Sequence, residues 1–162
     1  MQDKIQQPSE LSGIQRDSGN RCAASNTDAL IVAKAKEYLN TPFHHQGRVK
    51  KVGVDCIGLL VGVAKELNLK YEDYTNYDMR PDPDELLRFI GISCDCVYDE
   101  PRKGDILLFW FISEDRPQHA GILVDSSRFI HTYASIGKVM EHDLTPAWKK
   151  HLHSVWRYRW QH

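Results

Sequence analysis

Asp55-Cys56-Ile57-Gly58-Leu59-Leu60 is the stretch from which the rest of this 162-residue chain is read. Asp55 is a good helix N-cap, because its side-chain oxygen can accept one of the N–H groups that a helix start leaves unpaired. Behind it, Leu60, Val61, Ala64 and Leu67 recur at the spacing of an amphipathic helix. Cys56 therefore falls in the first turn. The helix dipole favours a thiolate there, and unpaired N–H groups could receive an oxyanion. A thiol in that place is either a nucleophile or a small buried hydrophobe, and the hexapeptide alone does not choose between them.

Composition narrows the setting. With 41% hydrophobic and 27% charged residues, the chain reads as one soluble globular domain. A net charge of −1 argues against a dedicated nucleic-acid partner and against electrostatic attachment to membranes. No apolar run has the length of a membrane span. Residues 1–8 lack an apolar signal core, so synthesis in a reducing cytoplasm is expected, with the four cysteines Cys22, Cys56, Cys94 and Cys96 unpaired. Cys94-Asp95-Cys96 lacks the spaced pairs of a zinc site, so neither metal nor cofactor is expected.

Working outward, residues 1–25 are polar and aperiodic and are expected to form a disordered or loosely docked tail before a domain at 26–162. A helix is predicted from residue 26 or 27 to about 39, burying Leu30, Ile31, Ala35, Tyr38 and Leu39, with Asn40 as its stop. Residues 41–54 form a loop leading into the cysteine helix and walling the site. Its Arg48, Lys50 and Lys51 could hold a substrate carboxylate, or simply face solvent. The cysteine helix should end near Asn68 and be followed by loop at 71–80. Asp82 then caps a short helix that Gly91 should stop. From residue 101 the period changes. Residues 105–112 (DILLFWFI) suit a central buried strand, and 119–124, 128–133 and 138–143 read as further strands. In the closing strand Trp156, Tyr158 and Trp160 share one face. Helices first and strands after make an α+β fold, helices packed on an antiparallel sheet.

A thiol needs a base, and two histidines stand out by position. A three-residue loop at 125–127 would set Val124 opposite Arg128. His119 and His131 would then lie diagonally on one face of the sheet. A two-residue loop would separate them, unless a bulge intervened. With that register His119 can take the Cys56 proton or form an ion pair with it, and His131 can orient the His119 ring.

Gly53-Val54-Asp55-Cys56-Ile57-Gly58-Leu59, Lys103-Gly104-Asp105-Ile106-Leu107, His119-Ala120-Gly121-Ile122 and Phe129-Ile130-His131, taken in this order, resemble the NlpC/P60 cysteine peptidases. The likeness is greatest to the branch encoded by phages and prophages as tail-associated cell-wall peptidases, and it spans roughly residues 27 to 160. It implies a papain-like core and hydrolysis of peptidoglycan stem peptides, often between D-glutamate and a diamino acid, through an acyl-enzyme. By position, Cys56 is the nucleophile, His119 the base and His131 the third member. Phe43, His44, His45, Arg48 and Asp55 are candidates for substrate binding. Phe43 stands where the family often has tyrosine, so a hydroxyl near the oxyanion is missing and His44 or His45 could substitute. The resemblance implies the peptidoglycan stem peptide and phage tail proteins as partners, and a place in the virion tail or at the cell wall. The competing reading is a tail assembly component that keeps the fold without turnover.

Overall fold

In the computed structural model, residues 18–160 are described, with side chains from residue 26 onward. The first helix, α1 (Ser18–Glu37), lies on the same side of the molecule as α2 (Cys56–Glu66) and α3 (Pro83–Ser93). Between α1 and α2 sits a small hairpin, β1 (Arg48–Val49) with β2 (Gly53–Val54). The main sheet is six-stranded and antiparallel, made of β3 (Cys94–Cys96), β4 (Ile106–Trp110), β5 (Pro117–Asp125), β6 (Arg128–His131), β7 (Met140–Asp143) and β8 (Leu152–Tyr158). Its order is β3-β8-β4-β5-β6-β7, so the last strand inserts between the first two. The short helix α4 (Pro146–Lys150) precedes β8.

Strand alternation sends side chains into two cores. Ile106, Leu108, Ala120, Ile122, Ile130 and Tyr158 meet the α1–α3 side, where Ile57, Leu60 and Leu86 are buried. Leu107, Phe109, Leu123, Phe129 and Val155 form a second cluster, covered by Trp148 of α4 and by Leu152. Asp105 is buried at the entry of β4. Its carboxylate accepts two hydrogen bonds from Arg157 of β8, at 2.8 and 2.9 Å, and one from the Arg102 N–H. Such a two-pronged pair satisfies a buried carboxylate with fixed geometry and ties the last strand to the sheet centre.

The α+β architecture, the central strand and the caps agree with the sequence reading; several boundaries do not. Residues 1–17 of the expected tail lie outside the described residues. Residues 18–25 are the first turns of α1, because Arg21, Ala23 and Ala24 favour helix among polar neighbours that mask it. Leu30, expected to be buried, is 47% exposed. Asn40 does stop its helix, in the left-handed conformation at φ 65°. Gly91 stops nothing: α3 runs on to Ser93. Cys94-Asp95-Cys96 is an edge strand paired with Trp156 to Tyr158. The apolar run 105–112 leaves the sheet at Trp110, and Phe111 and Ile112 are exposed in the turn beyond.

Candidate active site

Asp55 caps α2 as expected, its Oδ1 accepting the Gly58 N–H at 2.8 Å. Its other oxygen accepts the Gln46 N–H at 2.7 Å and the Tyr77 hydroxyl at 2.6 Å, and the Arg48 guanidinium lies 3.4 Å from Oδ1. One buried carboxylate thus joins the 41–54 loop, the 71–80 loop and the start of α2. Gly58 is required here: a Cβ on it would stand 2.0 Å from the Gly47 carbonyl oxygen. Cys56 follows the cap and is buried. Burial pushes its thiol up to about 12 and the neighbouring Asp55 charge adds to the rise, while backbone N–H groups of Ala120, Ile57 and Cys56 itself oppose it. Ala120 is the residue after His119. The sulfur therefore abuts β5 one residue from the imidazole-bearing position.

The β5–β6 turn takes the conditional form. Asp125 pairs with Arg128 across a two-residue loop, and the register shifts between Leu123 and Asp125. That bulge restores Leu123 opposite Phe129 and Gly121 opposite His131, so His119 and His131 share a face after all. The two rings meet, His119 Nε2 to His131 Nδ1 at 2.8 Å. Gly121 makes room for this, since a Cβ there would lie 2.8 Å from the Phe129 ring and 3.2 Å from the His131 Cβ. Both rings are buried. Burial brings His119 down to about 3; burial, then the neighbouring His119 and His142, bring His131 down to about 2.

Cys56 and His119 line one cavity of about 770 Å³. Phe43, His45 and Asp55 from the sequence-based set line it too, as do Phe111 and Ile112 from the β4–β5 turn. His44 and Arg48 are not among its lining residues. The His44 ring is packed on Gly53 and hydrogen-bonded to the His45 carbonyl. Arg48 donates to Asp73, to the Tyr74 carbonyl and to the Tyr77 hydroxyl, which fixes the loop walls to each other. Lys50 bonds Glu37 and Glu66, and Lys51 bonds the Leu39 carbonyl, so the expected carboxylate-binding trio is occupied within the chain.

Two site residues escaped the sequence reading. Tyr77 supplies a buried hydroxyl to the cavity wall that Phe43 lacks; it comes from an aperiodic loop, with no local signal. His142 of β7 stands 2.6 Å from His131, Nδ1 to Nε2. Its alternation with Met140 is the only local signal, because both faces of β7 carry polar residues. Thr132, fully buried in the cavity wall, keeps a hydroxyl with no hydrogen-bond partner among the described residues. No group of three or more His, Cys, Asp and Glu side chains is placed to hold a metal ion among the described residues.

Comparison with known proteins accords with this geometry. The sequence profile of the NlpC/P60 family matches residues 40–157. No curated protein matches the chain in sequence. Among solved structures, an NlpC/P60 family protein from Bacillus cereus ATCC 10987 superposes with a TM-score of 0.63 at 18% identity, over 81% of this chain and 40% of that one. The NlpC/p60 domain of the peptidoglycan hydrolase SagA gives 0.57 at 20% identity, over 80% of this chain and 97% of the domain. The peptidoglycan hydrolase RipB from Mycobacterium tuberculosis gives 0.58 at 16% identity, over 95% and 75%. The chain thus spans about two-fifths of the Bacillus protein's length. At these identities the likeness establishes the fold.

Proposed function

Because this chain belongs to the NlpC/P60 family, we propose that it is a cysteine peptidase acting on peptidoglycan stem peptides, at the amide between γ-D-glutamate and a diamino acid. The observation that carries the reading is the 2.8 Å bond from His119 Nε2 to His131, which leaves His119 Nδ1 to serve the thiol across the shared cavity.

The Cys56 sulfur attacks the amide carbon, and the S–H proton passes to His119 Nδ1 as the S–C bond forms. The carbonyl π electrons move onto oxygen, and the first-turn N–H groups of α2 can receive that charge. Collapse breaks the C–N bond, and His119 returns the proton to the departing amine. Water then attacks the thioester, giving its proton to His119; the acid leaves, and the thiol is restored. Burial raises the thiol and lowers the imidazole, so both rest neutral and the proton moves during attack.

Digestion of purified peptidoglycan followed by mass spectrometry of the fragments tests this. Wild type should leave glycan-linked stems ending in D-glutamate and release peptides that begin with the diamino acid, and Cys56→Ala should yield neither. Identical fragment sets would favour a tail assembly component without turnover.

A further inference from the structure

The β5–β6–β7 register does more than bring two histidines together. Gly121 stands opposite His131, and Phe129 opposite His142. His119, His131 and His142 are therefore diagonal neighbours on one face of three adjacent strands, and their rings form a continuous chain, with contacts of 2.8 and 2.6 Å. Trp148 and Phe129 pack on the middle ring, at centroid distances of 5.1 and 4.4 Å. His142, at the far end, is only half-buried.

We infer that His142 is a positioning residue for the base, setting through His131 which nitrogen of His119 carries the proton. This rests on the assignment of His119 as base to Cys56. A neutral imidazole has one donor and one acceptor nitrogen, so each bond in such a chain fixes the next. For His119 to accept the thiol proton at Nδ1, its proton must sit on Nε2 and be donated to His131 Nδ1. The His131 proton then sits on Nε2 and needs an acceptor, which is His142 Nδ1. Without that acceptor the His131 N–H is buried and unpaired, and the ring gains by moving its proton. With a donor in place of His142 the chain runs backwards. His131 then accepts at Nε2 and donates from Nδ1, and His119 carries its proton on Nδ1, where it can no longer accept one from the thiol.

Long-range ¹H–¹⁵N correlation spectra of the histidine rings, taken with kcat and KM on a stem peptide, test this. Wild type should show His119, His131 and His142 as Nε2–H tautomers. His142→Asn, whose Oδ1 replaces the Nδ1 acceptor, should keep the tautomers of His119 and His131 and most of kcat. His142→Lys, which offers only donors, should convert His131 and His119 to Nδ1–H and lower kcat roughly 10²- to 10⁴-fold with little change in KM. A wild-type His131 in the Nδ1–H form overturns the proposal, and so does a folded Lys variant that keeps both the wild-type tautomers and kcat. Should the Lys variant not fold, the wild-type and Asn spectra decide alone. The tautomers are read without turnover, so an inactive wild-type protein would count against the peptidase assignment and leave the spectral test standing.

Discussion

On the helix wall of the cavity, one buried carboxylate collects hydrogen bonds from three segments: the Gly58 N–H, the Gln46 N–H and the Tyr77 hydroxyl. On the sheet wall, three imidazoles hydrogen-bond one another in a row. Asp55 accepts every bond it makes, so its network has one arrangement. Each imidazole both accepts and donates, so the row has two arrangements that differ only in proton positions. One wall is suited to holding the nucleophile still, and the other to taking up and returning its proton. Damage to the first should appear mainly as lost stability, and damage to the second mainly as lost kcat.

His119→Ala should have the largest effect, lowering kcat roughly 10³-fold or more while thermal unfolding stays within a few degrees of wild type. Gly121→Val comes next. The added side chain collides with Phe129 and His131, and a base displaced by about 1 Å should cost on the order of 10² in kcat. Asp55→Ala tests the other wall. It removes the cap and leaves the Tyr77 hydroxyl and the Gln46 N–H without their acceptor, so urea unfolding should show a loss of about 2–4 kcal/mol. If Asp55→Ala were as stable as wild type, or His119→Ala cost as much stability, the division between the walls would fail.

Two pH profiles sharpen the contrast. With the thiol pushed up to about 12, the thiolate fraction is small at neutral pH and climbs with pH. Alkylation of Cys56 by iodoacetamide should therefore keep rising beyond pH 9. A plateau reached by pH 6 would instead reveal a preformed thiolate–imidazolium pair. The second profile concerns folding. His119 is lowered to about 3 and His131 to about 2, from an unfolded value near 6.5. Between those limits the unfolded chain binds more protons, so the stabilisation is complete above pH 6.5 and is lost as pH falls toward 3. Each ring should contribute about 1.4 kcal/mol per pH unit to that slope. Chemical denaturation of wild type and His131→Asn across this range should show the shallower slope in the variant.

What was legible in the sequence was local or periodic. Asp55 announced a cap and Cys56 its place in the first turn, because capping depends on neighbours within three residues. The strand alternation put His119 and His131 on one face, although the turn achieved it by a bulge near Val124 rather than by a three-residue loop. Tyr77 was not legible, because its role depends on a loop folding back over 22 residues of chain separation to meet Asp55. Arg48 looked like a substrate ligand because its partners Asp73 and Tyr74 are distant in sequence. The N-terminal half of α1 was hidden for another reason: its Ser and Asn residues lower helix preference and give no apolar period to read.

Trapping the covalent intermediate tests the central claim most directly. The protein is mixed with a γ-D-glutamyl–diamino acid peptide and quenched in acid within a turnover. Its intact mass and proteolytic map are then measured. The mass should increase by the acyl fragment, carried on Cys56 as a thioester, and the adduct should be absent from Cys56→Ala. Cleavage with the acyl group on another residue, or with no adduct at any quench time and undiminished in Cys56→Ala, would contradict the account.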